Sequence, residues 1–173
     1  MENSRMIEMY LSRIKRLAVH RESENIRFRS FLKGMDGRKI DLIVHSLHKE
    51  VIAQVDCLLC GNCCSCLSPE VNDNDLKTLA GREDMLPEEY LSVYCKEESG
   101  IFFKSIPCRY LEGKCCSIYV NRPEQCKKFP YTAEKGFIFR LWGMIENYGM
   151  CPVVFNIMER LKDKLGFRYG RRY

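Results

Sequence analysis

Apolar residues recur every three or four positions through the first third of the chain, the period of one face of an α-helix. Met6, Tyr10, Ile14 and Leu17 form one such stripe, and Ile26, Phe31 and Leu32 mark a second segment that Gly34 is placed to end. A third stretch runs from about Asp41 to Val55 and repeats Ile43, Leu47, Val51 and Val55 on one face. Residues 1–55 therefore read as two or three amphipathic helices. Their apolar faces are expected to pack on the protein's own core rather than on a partner helix or a membrane surface.

After residue 55 the pattern breaks into shorter pieces. "SPEVNDNDLKTLAG" offers Asn72 or Asp73 as a helix cap and Gly81 as a stop, and "LPEEYLSVYCKE" opens another short helix with Pro87 near its first position. "GIFFKSI" is aromatic and β-branched and predicts a strand, while "RYLEGKCCSIY" predicts a turn at Glu112 to Lys114 followed by an extended segment. Residues 136–142, GFIFRLW, give a third strand candidate. Pro123 and Pro130 bracket a short helix, and a last helix from about Pro152 to Leu165 turns Val153, Val154, Ile157 and Leu161 inward. The predicted class is α+β: a small, mostly helical single domain with short strands. Residues 1–55 form its N-terminal helices, and 56–173 form a loop-rich, metal-stapled cysteine region that includes the C-terminal helix.

At 173 residues and 46% hydrophobic, the chain is long enough to bury a core without covalent staples. Its 28 basic and 23 acidic residues are interspersed, so the net charge of +5 is a weak pointer to an acidic partner. The charged N-terminus lacks the apolar run of a secretory signal, and no later stretch approaches a membrane span. The expected location is a reducing cytoplasm, away from membranes. There, eleven cysteines, an odd number, read as metal ligands before disulfides.

"CLLCGNCCSC", residues 57–66, places five cysteines in ten positions. Cys57, Cys60 and Cys63 repeat every third residue, the spacing that opens the bacterial ferredoxin run, and Cys151-Pro152 supplies the remote Cys-Pro that can complete a cluster. Zinc also accepts four thiolates, and C-x2-C is its usual knuckle. Cys64 complicates a single site: in an extended segment, neighbouring side chains point opposite ways, so Cys63 and Cys64 are not expected to serve one mononuclear ion; either they serve two centres or one of them is structural. Cys126 is expected near the positive end of its short helix, a field that lowers a thiol pKa, with Arg122, Lys127 and Lys128 adding positive charge. Cys66 continues the every-third rhythm and is a rival ligand. Cys95 shares a helical face with Leu91 and reads as core, and Cys115 adjoins Cys116. The histidines His20, His45 and His48 lie away from the cysteine motifs; His45 and His48, three apart, are expected to be ordinary surface residues rather than ligands.

The succession CLLCGNCC, IPCRYL and CCSIYVNRPEQCKKFPY resembles the C-x2-C-x2-C-C cysteine-cluster family, named for zinc or iron chelation, to which flagellin lysine N-methylases look related. The match runs from Cys57 to about Cys151, leaving the helical first 55 residues outside it. The resemblance implies a metal-ligand set of Cys57, Cys60, Cys63, Cys64, Cys108, Cys116, Cys126 and Cys151. Tyr119, Arg122 and Pro123 match as well, whereas Cys66, Cys95 and Cys115 are extra to the pattern.

The leading expectation is a cytoplasmic metal-binding protein. It would hold an iron–sulfur cluster of the 4Fe-4S kind, or alternatively zinc, in a redox or accessory role, with room for an unidentified protein partner. A protein lysine methyltransferase-like enzyme is the second reading, suggested only by the relatives; no Gly-rich loop follows a strand and no catalytic residue is identified. The third is a zinc-stabilised RNA-binding module, prompted by the tail "FRYGRRY"; nucleic acid is the less favoured partner because chain ends are usually solvated.

Overall fold

Polar side chains that accept otherwise unpaired backbone N–H groups set where several of the helices begin. The computed structural model describes residues 6–170 of the chain. In chain order the elements are α1 (Leu11–His20), α2 (Glu22–Lys33), α3 (Gly37–Ile52), α4 (Cys57–Cys60), α5 (Asn62–Cys66), α6 (Asp73–Arg82) and α7 (Pro87–Tyr94). They continue with β1 (Cys95–Glu97), β2 (Ile101–Phe103), β3 (Leu111–Glu112), β4 (Cys115–Cys116), α8 (Glu124–Lys128), α9 (Leu141–Tyr148) and α10 (Pro152–Lys164). The fold is α+β and mostly helical, with two antiparallel two-stranded sheets, β1-β2 and β3-β4.

Packing divides the described chain into two units: residues 6–56 with 130–170, and Cys57–Phe129. In the helical unit, α10 lies against α1, α3 and α9, and α2 against α1 and α9. Asp36 caps α3, accepting from Arg38 N at 2.9 Å and Lys39 N at 3.4 Å. Ile40, Val44, Leu47 and Val51 of α3 are buried, as are Val153, Val154, Ile157 and Leu161 of α10. Helix α1 starts only at Leu11, because the amide of buried Asn156 grips both the N–H and the carbonyl of Glu8 at 2.9 Å. Met6 and Tyr10 therefore precede the helix and are exposed, whereas Ile14 is fully buried.

One ion network lies at the packing of α2 and α10. Buried Lys162 pairs with Glu24 and Glu159, each at 2.8 Å, while Arg21 also pairs with Glu159 and the Tyr148 hydroxyl donates to it at 2.8 Å.

Two expectations fail in this unit. The segment 136–142 is not a strand: Phe137–Arg140 forms a 3-10 turn that runs into α9. The Asp41 carboxylate accepts the N–H groups of Gly136 and Phe137 at 2.7 and 2.9 Å, and the Arg140 guanidinium draws in the carbonyls of Tyr131, Glu134 and Lys135. The chain is thereby wound into a coil, and Phe137, Leu141, Met144 and Tyr148 are buried at helical spacing. Second, the C-terminal helix does not group with the cysteine region as the span 56–173 supposed, because α10 packs on the N-terminal helices. Part of the tail that prompted an RNA reading is turned inward: Phe167 lies 4.9 and 5.3 Å from the rings of Phe28 and Phe31, and the end of "FRYGRRY" falls outside the described residues. Among the described residues no helix is long and apolar enough to cross a membrane.

The cysteine unit has its own core, built from Val71, Leu76, Leu79, Tyr90, Phe103 and Ile118 with their neighbours. Each large apolar side chain buried there contributes about 1.5–3 kcal/mol. Cys95 belongs to this core as expected, but as the first residue of β1, paired with Phe103, rather than within a helix. Asn72 caps α6, and Pro87 opens α7.

Candidate metal centre

Four short segments bring thiols to the edge of that core, where Cys108 and Cys116 pack directly against it. The first is the run α4-α5. Its two helical turns are joined at Gly61, in the left-handed region with φ 58°. A methyl group at Gly61 would stand 2.3 Å from the carbonyl oxygen of Lys114, in the turn between β3 and β4, so a side chain is excluded there both by conformation and by contact. That close approach lets α4 lie against β4, the strand that carries Cys115 and Cys116.

The second segment is tied to the first by one backbone bond, Cys108 N donating to Cys64 O at 2.8 Å. Its position is fixed from behind by a polar network. The Tyr110 hydroxyl meets that of Tyr90 at 2.8 Å and donates to Glu83 at 3.0 Å, while Arg109 donates to both Glu83 and Tyr110 with its guanidinium carbon 3.6 Å from the Tyr94 ring centre. The third is β3-β4, a hairpin with Gly113 at its turn and Glu112 opposite Cys115. The fourth is α8, carrying Cys126.

The structure places Cys63, Cys64, Cys108, Cys116 and Cys126 in one electrostatic neighbourhood. Cys63 and Cys64 lie in a helix rather than an extended segment, and their sulfurs are 3.9 Å apart. The premise of an extended segment fails for that reason: helical neighbours diverge by about 100° rather than 180°. Sharing a proton with Cys64 brings the Cys63 thiol down to about 7, with help from the charge of Arg122, and the same hydrogen bond together with burial pushes Cys64 up. Burial raises Cys108, and burial plus the sulfurs of Cys108, Cys63 and Cys116 push Cys126 up to about 12. Cys126 is thus the reverse of the low-pKa thiol expected, since desolvation and neighbouring sulfurs outweigh a five-residue helix.

Two cations act on this group, Arg109 on Cys108 and Arg122 on Cys63 and Cys126. Arg122 donates to Tyr119 O at 2.7 Å and stacks 3.7 Å from the Tyr119 ring centre. Lys127 and Lys128 instead pair with Glu124 at 3.9 and 3.6 Å on the exposed side of α8.

The other predicted ligands lie on other elements. Cys57 is exposed and Cys60 half-buried on the adjoining turn α4; Cys151 is buried in the helical unit at the start of α10. Cys66 and Cys115 are exposed, with Cys66 donating toward Asn62 Oδ1 at 4.0 Å. In the helical unit His48 Nδ1 is 2.8 Å from the buried hydroxyl of Thr132. Two residues that shape the site, Gly61 and Asp75, were not singled out from the sequence; for Gly61 the signal was a glycine directly after C-x2-C.

The donors suit a thiophilic ion. A tetrahedral centre with bonds of about 2.3 Å has sulfurs about 3.8 Å apart along each edge, close to the 3.9 Å found for Cys63 and Cys64. Among the described residues no three Cys, His, Asp or Glu side chains stand close enough together to hold an ion as they are.

The family comparison covers the same stretch. The model described as "Putative zinc- or iron-chelating domain" matches residues 56–152, more than half of the chain. The uncharacterized protein YkgJ of Escherichia coli O157:H7 is 26% identical over 103 residues, which make up 56% of this chain and 94% of that protein. No solved structure matches. With Cys57, Cys60, Cys63 and Cys64 at the spacing that gives the family its title, and the remaining matched cysteines following through Cys151, the chain belongs to the CxxCxxCC family of zinc- or iron-chelating domains.

Proposed function

We propose that this protein works in a reducing cytoplasm as a metal protein whose centre is built on Cys63, Cys64, Cys108, Cys116 and Cys126, with Cys57 and Cys60 on the adjoining turn as further ligands. The observation that carries the reading is the convergence of thiols from four separate segments on one edge of a core. Cysteines used as small apolar residues scatter through a core, as Cys95 does. Ligation draws the sulfurs inward and replaces their protons, and Arg122 offsets part of the negative charge that results.

An iron–sulfur cluster is preferred to zinc, on the support of the ferredoxin-like spacing of Cys57, Cys60 and Cys63 and of a thiol count that exceeds the needs of one tetrahedral ion. When bound, such a cluster would supply one-electron chemistry in a redox or accessory role. Anaerobic purification, followed by visible absorption and by iron, sulfide and zinc analysis, tests this. A coloured protein with iron and acid-labile sulfide is expected. A colourless protein with stoichiometric zinc overturns the cluster, and a protein that binds neither metal overturns the reading.

A further inference from the structure

We infer that Asp75 positions Cys126 for the metal, by capping the helix of Cys126 from elsewhere in the fold. The inference rests on the metal reading above. Helix α8 is five residues long and begins after Pro123, which has no side-chain acceptor with which to cap it. A helix this short does not hold itself. Its first N–H belongs to Glu124, and both carboxylate oxygens of Asp75 take it, at 3.1 and 3.2 Å, across 49 residues of sequence.

Asp75 is itself fixed. It is 7% exposed, it accepts the backbone N–H of Asn72 at 3.3 Å, and its own N–H donates to the Asn72 side chain at 2.8 Å in a reciprocal cap of α6. Leu76 and Leu79 anchor α6 in the core of the cysteine unit. One carboxylate therefore starts two helices, α6 in the core and α8 at the thiol site, and Cys126 follows Glu124 by two residues. Asp75 touches neither sulfur nor metal; it is a positioning residue.

Residue-resolved alkylation of the full chain with zinc as the probe separates this role from a general contribution to folding. In the wild type, zinc is expected to slow alkylation of Cys63, Cys64, Cys108, Cys116 and Cys126 together. In Asp75→Ala, with zinc present, Cys126 should react roughly five- to tenfold faster, the factor that corresponds to a lost cap, while the other four stay protected. Asn72→Ala removes the cap of α6 but leaves the bond from Asp75 to Glu124, and should leave Cys126 protected. Asp75→Asn keeps an acceptor oxygen and should restore part of the protection. It carries the comparison if Asp75→Ala does not fold.

The inference is overturned if Cys126 stays as protected as its neighbours when Asp75 is replaced, if all five thiols open equally, or if Asn72→Ala exposes Cys126 as much. Wild-type thiols protected neither by zinc nor by the iron and sulfide of the anaerobically purified protein would refute the metal reading itself, and the inference with it.

Discussion

Replacing Gly61 by alanine probes the joint that brings α4 and α5 to the β3-β4 hairpin. The residue has φ 58°, which costs an L-residue roughly 1–2 kcal/mol. The added methyl would also sit 2.3 Å from Lys114 O and 2.9 Å from its carbonyl carbon, about 1 Å short of the 3.4 Å at which ordinary contact begins. Both neighbours are backbone, so no side chain can swing away. Either the α4-α5 segment or the Lys114 turn must move, at the 1–3 kcal/mol typical of overpacking (roughly). Gly113 is the control. Its φ is 62°, yet a methyl there meets nothing within 4 Å. The effect of alanine on the unfolded chain is common to both substitutions and cancels. Urea denaturation followed by circular dichroism should therefore find Gly61→Ala less stable than Gly113→Ala by about 1–3 kcal/mol. Equal midpoints for the two would refute the close approach and, with it, this account of how the segment carrying Cys63 and Cys64 is placed.

Lys162→Ala removes the ammonium from half-buried Glu24 and leaves Glu159 to Arg21 and Tyr148, and should cost about 1–3 kcal/mol in a thermal or urea melt; a loss below about 0.5 kcal/mol, the scale of a surface pair, would contradict the buried network. Burial alone would raise Glu159, but Lys162, Tyr148 and Arg21 hold it below the usual carboxylate range. A carboxylate depressed in the folded state contributes stability that is present above its unfolded pKa, about 4.3, and is lost as pH falls through the lower folded value. Glu159→Gln should thus flatten the acid limb of stability against pH, and an unchanged limb would count against the depression. Tyr110→Phe removes the hydroxyl shared by Tyr90, Glu83 and Arg109 and should cost about 1–3 kcal/mol in urea; a neutral result would show that the network behind Cys108 is ornamental.

The N-terminal helices could be read from spacing because their buried faces are long enough to repeat: Leu47 and Val51 fall on the inner face of α3 as expected, with Ile40 and Val44 completing it. The segment GFIFRLW misled because aromatic and β-branched residues favour strands, and what overrules them lies outside the segment: the carboxylate of Asp41 and the carbonyls of Tyr131, Glu134 and Lys135 that Arg140 gathers. Local composition carries no trace of either. At the thiols, spacing pointed to Cys57, Cys60 and Cys63, and the family resemblance added Cys64, Cys108, Cys116, Cys126 and Cys151. Neither could say that the 63–64 pair sits on one helical turn, which removes the premise of the vicinal argument. The pKa of Cys126 was misjudged because burial and the approach of sulfurs from Cys108 and Cys116 are properties of the fold. Asp75 shows locally only as the partner of Asn72 in the cap of α6; its bond to Glu124 left no signal, since a cap that reaches 49 residues along the chain has no local motif.

The central claim is that thiols from separate segments share one metal centre. Its most direct measurement is metal content per chain, by elemental analysis of anaerobically purified protein, across single serine variants. Cys63→Ser, Cys108→Ser, Cys116→Ser and Cys126→Ser are each predicted to lower bound metal, whereas Cys95→Ser, in the core, and Cys115→Ser, on the exposed side of β4, should retain it. Full metal content after Cys63→Ser and Cys126→Ser, or equal loss after Cys115→Ser, would contradict the account.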